Sequence, residues 1–260
     1  MTVNQLDGKF EMTRRLVESA IAAGRAFQSP QTGFVHYYFS QPESANHQTI
    51  PLYENLLFAL ALLRSRVIEN IKEAQALLSR LLAFQNQAEG PSCGNFPFYL
   101  HEYPFCRDFN VGISFLAPFY WILKGFGHVL GQELRQRLEM SVGGIVQYGL
   151  KADQSRSFPY SVALRFAASL IGLGGLLDRA DWEQEGVQML NRLGDQPSQD
   201  SWYHTSHLSD LFIALQMAKF DLSQQPWKDF WQLASQTWHG PTASYCGPCI
   251  VKGRIWANQR

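Results

Sequence analysis

An excess charge of either sign, an uninterrupted membrane-length apolar run, cysteine in quantity and period-two alternation are all scarce in this chain. Lys and Arg number 22, Asp and Glu number 22, and the formal net charge is zero. No basic field draws nucleic acid or anionic lipid, so the expected partner is a small or neutral molecule, a glycan among them. Four cysteines without an export signal are most simply reduced thiols. Asp7, Lys9, Glu11, Arg14 and Arg15 precede any apolar stretch, and no short apolar core with a small-residue cleavage site follows. The expected location is therefore the cytoplasm. The run Phe109 to Phe126 is nearly long enough for a bilayer, but Asn110, Pro118 and Lys124 interrupt it, which favours a buried helix over a membrane span. Alternation with period two never lasts beyond a few residues, which excludes an extensive sheet.

What is present is an alternation of two helix types. Leu56 to Leu63, Phe109 to Phe126, Ser161 to Leu177 and Leu208 to Ala218 are apolar all round, and each precedes a segment rich in Glu, Gln, Lys and Arg. A helix apolar on every side must be enclosed by protein, whereas an amphipathic one covers a core and meets water. The pattern predicts an all-α chain, a single domain over 1–260, with inner helices inside an outer layer. Leu6 to Phe27 reads as an amphipathic helix with Phe10, Leu16, Ile21 and Ala22 on its apolar side. Outer helices are expected at about 67–87, 130–150 and 181–193, and a fourth pair at about 205–220 and 226–238.

Inner helices start roughly fifty residues apart, a helical-hairpin period. The loops before the first two share a pattern, Gly33-Phe34-Val35-His36-Tyr37-Tyr38-Phe39 over Gly94-Asn95-Phe96-Pro97-Phe98-Tyr99-Leu100. On these features the chain resembles the (α/α) toroids, barrels of helical hairpins found in glycoside hydrolases, polysaccharide lyases and terpenoid cyclases. The resemblance implies a cavity at the N-terminal ends of the inner helices. Only about four hairpins are countable, fewer than a closed ring of six such hairpins requires, so the ring is open or shortened, or the chain is a piece of something longer.

The expected cavity collects Tyr38, Tyr53 and Glu54 from the first inner helix and its entrance, and Tyr99, His101, Glu102, Asp108 and Asn110 from the second. Arg165 comes from the third, and Trp202, Tyr203, His204, His207 and Asp210 from the fourth. Aromatic faces stack on pyranose rings, carboxylates and amides bind hydroxyls, and a carboxylate pair is what glycosidic cleavage needs. Asp108 and Asp210 are the first-choice acid and base, with Glu102 and His204 second. Tyr38, Tyr53, Tyr99, Arg165, Trp202 and Tyr203 are the expected substrate-binding residues. A lyase would use a Tyr or His base and a cation instead.

Each residue also has a structural role to play. Asp108, Asp210 and Glu54 are placed to cap helices, His101-Glu102 to form a surface pair, Arg165 to pair with Asp108 or Glu54, and the aromatics to fill a core. Cys246-Gly247-Pro248-Cys249 is similar to the thioredoxin active-site tetrapeptide, but Trp238-His239-Gly240-Pro241 precedes it and no helical pattern follows. The separation of Cys93 and Cys106 does not match zinc-knuckle spacing, and His204 with His207 lacks a placed third ligand, so no metal and no cofactor are expected. The sequence thus points to a carbohydrate-active enzyme, hydrolase or lyase, with a non-catalytic ligand-binding or scaffold protein of degenerate toroid fold as the alternative. A terpenoid cyclase is third, for want of an Asp-rich diphosphate motif.

Overall fold

The computed structural model describes residues 3–36, 49–155 and 158–195, with 216–217, 238–239, 241, 244–245, 250–251 and 254–255. These residues are mostly helical, and the fold class is all-α. The helices are α1 (Val3–Phe27), α2 (Leu52–Arg64), α3 (Ile68–Leu81), α4 (Val111–Phe126), α5 (Gln132–Ser155), α6 (Tyr160–Leu176) and α7 (Ala180–Asp195). Two antiparallel pairs of two-residue strands, Trp238–His239 with Ser244–Tyr245 and Ile250–Val251 with Arg254–Ile255, are the small strand pieces. Cys246, Cys249 and nearly all of the expected fourth helix pair lie outside the described residues. No helix among them is long and apolar enough to cross a membrane. The chain divides into two compact units, Met1–Lys151 and Ala152–Arg260.

The first unit is built on α2 and α4. Along α2, Leu52, Leu56, Phe58, Ala59, Leu62 and Leu63 are buried, and along α4 so are Ile113, Phe115, Leu116, Phe119, Ile122 and Leu123. Neither helix has a continuous polar face, so only enclosure on several sides removes their apolar surface from water. Helix α2 packs against α1, α3 and α4. By contrast α3 buries Ala74, Leu77, Leu78 and Leu81, the i, i+3, i+4, i+7 stripe of a covering helix. Helix α1 departs from expectation in its face. Leu16 is 66% exposed, while Val17, Ile21, Gly24 and Gln28 are the positions turned toward the unit's interior. The driver is a close approach: an added Cβ on Gly24 would lie 2.2 Å from the Phe58 ring, so the helix rotates its smallest residue onto that ring.

Helices α2 and α4 run parallel. Tyr53 and Phe115 meet near their N-terminal ends, with ring centroids 5.9 Å apart, and Arg64 and Trp121 border one cleft near their C-terminal ends. The inner helices of this unit thus start on a common side, as a ring of hairpins requires.

The two expected matching loops repeat in their bonding as well as their residues. Ser29 donates its N–H to the Phe34 carbonyl at 2.9 Å and accepts from the N–H of Gly33 at 2.7 Å. Asn86 does the same with Asn95 and Gly94, at 2.9 and 2.8 Å. The preceding residue is a glutamine in both. The Gln28 amide donates to the Gly33 carbonyl at 3.1 Å and to Glu73 on the next outer helix, and Gln85 donates to the Gly94 carbonyl at 2.8 Å and to the Ser141 carbonyl on α5. Each latch glycine has positive φ, +68° at Gly33 and +91° at Gly94, a region open to glycine and costly for other residues. Ala26-Phe27-Gln28-Ser29 and Ala83-Phe84-Gln85-Asn86 are the sequence trace of this latch, and Ala152-Asp153-Gln154-Ser155 carries part of it at the end of α5.

In the second unit α6 and α7 form one tight hairpin. Helix α6 buries Leu164, Phe166, Ala167, Leu170 and Leu173, and α7 answers with Trp182, Met189 and Leu190. The axes come close because a Cβ on Gly186 would sit 2.6 Å from the Ala167 carbonyl oxygen.

The two latches differ in what an added methyl group meets. At Gly94 it lies 2.2 Å from the backbone carbonyl oxygen of Gly144, whereas at Gly33 it meets the end of the Arg80 side chain at 2.9 Å. Gly94→Ala should therefore lose about 2–3 kcal/mol in urea unfolding, and Gly33→Ala about 1 kcal/mol. Equal losses would show that the second latch is not held by backbone contact.

Candidate functional site

At the N-terminal end of α2, the loop before α4 is stitched to the helix entrance. Leu52 donates to the Phe98 carbonyl at 3.1 Å and Leu100 to that of Ile50 at 2.9 Å. This brings Tyr53, Glu54 and Tyr99 to one end of the first unit, and the same loop exposes Phe98, Tyr103, Phe105 and Phe109. Tyr99 stacks on His101 with centroids 5.6 Å apart.

The carboxylates expected to do chemistry here are engaged in holding the backbone. Asp108 Oδ1 accepts the N–H groups of Asn110 at 2.7 Å and Val111 at 3.1 Å, which caps the start of α4. Glu102 Oε2 accepts those of Phe98 at 3.1 Å and Tyr99 at 3.4 Å, which closes the short 3-10 turn Leu100–Glu102 on itself. The buried amides of Asn95 and Asn55 complete the scaffold. Asn95 accepts from Gly112 and donates to the Asp108 carbonyl, and Asn55 bonds both the N–H and the C=O of Val35.

Glu54 is different. It is half-buried, its Oε2 is buried without a hydrogen-bond partner among the described residues, and desolvation pushes its carboxyl above the ordinary carboxylate range. Cys106 is buried and its thiol is pushed up to about 11 by the same effect, with the Glu102 charge adding to it; it is un-ionised at neutral pH. Arg165 is half-buried on α6, in the second unit. Tyr38, Trp202, Tyr203, His204 and Asp210 lie outside the described residues. Of the expected set, the structure thus brings Tyr53, Tyr99, Glu102 and Asp108 to one end of the first unit. Among the described residues no group of three His, Cys, Asp or Glu is placed to hold a metal ion.

An opening in the first unit lies at the opposite end. A cleft of about 900 Å³ opens where the C-terminal ends of α2 and α4 face α1, with Val17, Ile21, Trp121 and Phe126 as its apolar wall. Arg14, Arg64, Arg66 and Lys124 border it, against the single carboxylate of Glu18. Arg14 is neutralised by Glu11 and Glu18, which it contacts across one helical turn. The other three cations form no ion pair with any described carboxylate. Lys124 instead donates to the Tyr120 hydroxyl at 2.8 Å and lies 5.3 Å from the Trp121 ring centroid.

Arg66 carries a second oddity. It stands just past α2 with φ +58°, in the left-handed region that helices usually end on with glycine. An arginine there costs about 1–2 kcal/mol, and strain of this kind gathers at functional positions. Sequence reasoning passed over these residues. The available signal was Arg64-Ser65-Arg66 closing an apolar helix and Lys124 as the lone charge of α4.

No protein-family model matches the chain, and neither a curated protein nor a solved structure shows significant similarity to it.

The capping roles separate Asp108 variants cleanly. Asparagine caps as well as aspartate, so Asp108→Asn should leave the unfolding midpoint nearly unchanged, while Asp108→Ala should lose about 1 kcal/mol. Equal and large losses in both would mean that the charge, not the cap, is what the fold uses.

Proposed function

We propose that this chain is a ligand-binding protein built from helical hairpins, a degenerate (α/α) toroid whose ligand enters the cleft at the C-terminal ends of α2 and α4. One observation carries this reading: an opening of about 900 Å³ with an apolar wall and three cations that no described carboxylate pairs. Volumes of roughly 300–1,000 Å³ with a few convergent polar groups are what small-molecule sites have. The runner-up among the sequence expectations therefore becomes the first choice. Its test is a cleft-filling variant. Ala22→Trp projects an indole into the opening, and a fragment set that raises the thermal midpoint of the wild type should no longer do so. Fragments that stabilise both equally would remove the cleft from consideration.

A carbohydrate-active enzyme is retained as the second reading because of Glu54. A carboxyl whose affinity for its proton is raised by burial, at the same end of the unit as Tyr53 and the exposed aromatic faces, is shifted in the direction a general acid needs. The sign of its pH dependence follows from the raised pKa. The folded state holds the Glu54 proton more tightly than the unfolded state. Stability is therefore favoured below the unfolded pKa of 4.5 and is given up as pH rises through the higher folded value. Glu54→Gln should raise the melting midpoint at pH 7 and leave it unchanged at pH 4. If wild type also turns over a glycan and Glu54→Gln does not, the enzyme reading displaces the binding one. A lowered midpoint at pH 7 would mean that Glu54 is ionised and paired.

A further inference from the structure

Resting on the reading of the cleft as a ligand site, we propose that its ligand is an amphipathic carboxylate, its head held by Arg66 between Arg64 and Lys124 and its apolar body laid against Val17, Ile21 and Trp121. Charge comes first. The C-terminal ends of α2 and α4 each present about half a negative charge, which falls off within the last turn. Arg64 and Lys124, both within the last turn of their helices, are enough to offset those two ends. That leaves the charge of Arg66 over, and Glu18 is already committed to Arg14. The mouth of the cleft is thus positive by more than the helix ends can absorb.

Chemistry then selects the head. A guanidinium offers a planar fork that matches a carboxylate at two points. Phosphate dianions are usually held by backbone N–H groups at helix N-termini, whereas the helix ends here present carbonyl oxygens, which repel a second negative charge. The wall selects the body. A bare anion leaves Val17, Ile21 and Trp121 unused, and a neutral apolar molecule leaves three cations without a counter-charge. The backbone points to the same residue. Among the described residues the other positive-φ positions are Gly33, Gly90, Gly94 and Gly131, with Asp178 just past α6, and Arg66 is the one of the set that carries a positive charge. That choice keeps a guanidinium at the cleft at the expense of local conformation.

This combination gives a test in which binding and stability move in opposite directions. Calorimetry on the full chain would compare 2-naphthoate, the neutral 2-naphthamide and 2-naphthyl phosphate, with and without added salt. Naphthoate is expected to bind about tenfold tighter than the amide and no more weakly than the phosphate, with an affinity that salt reduces. Arg66→Gly should weaken naphthoate about fivefold or more, leave the amide unchanged, and raise the melting midpoint by relieving the left-handed arginine. If acid and amide bind alike in wild type and in Arg66→Gly, the anionic head is wrong and the cleft reading stands. If the phosphate binds tenfold tighter than naphthoate, the carboxylate assignment is overturned. If none of the three binds, the cleft reading fails with the inference.

Discussion

A helix without a polar face has no stable boundary with water, and α2 and α4 impose that constraint on the first unit. Their apolar surface has to be covered from several directions at once, so α1, α3 and α5 are recruited as covering helices and the loops are pulled tight over the ends. The latches are how this is done. In each, a glutamine amide spans from a loop glycine to the next outer helix, and a backbone pair closes the loop behind it. Buried backbone carbonyls must find donors, and a side-chain amide with two N–H groups can serve two carbonyl or carboxylate oxygens together. The same device used twice makes the second hairpin a copy of the first.

Much of this was legible in the sequence, because helix type is written in the apolar pattern. The first three inner segments, poor in charge, and the outer segments between them fell where the pattern placed them, within a few residues, while the fourth pair lies outside the described residues. The face of α1 was not legible. Leu16 is larger and more apolar than Gly24, yet shape complementarity to Phe58 outweighed hydrophobicity and turned Leu16 outward. The latch was visible in Ala-Phe-Gln followed by Ser or Asn, but its meaning depends on a partner helix dozens of residues away.

The candidate site shows the opposite balance. Residue type alone cannot tell a catalytic carboxylate from a capping one, since both want an acceptor at the start of a helix. Asp108 and Glu102 satisfy that want locally, each with two backbone N–H groups. Glu54, in the first turn of α2, reaches only its own backbone N–H and keeps Oε2 without a partner among the described residues. The cleft was hidden for another reason. The toroid resemblance directs attention to the N-terminal ends of inner helices, while the unpaired cations gather at the C-terminal ends, where basic residues are ordinary complements of the helix dipole. Only their number, and the left-handed backbone of Arg66, separate them from that ordinary role.

The central claim is that ligand goes to the C-terminal ends of α2 and α4 and not to the aromatic loop at their N-terminal ends. A nitroxide-labelled aromatic carboxylate, titrated into isotope-labelled protein, reports this directly by broadening the amide signals closest to it. The account predicts loss of the Val17, Ile21, Arg66 and Lys124 signals while those of Tyr53, Glu54 and Tyr99 stay sharp; selective broadening of the latter three would contradict it.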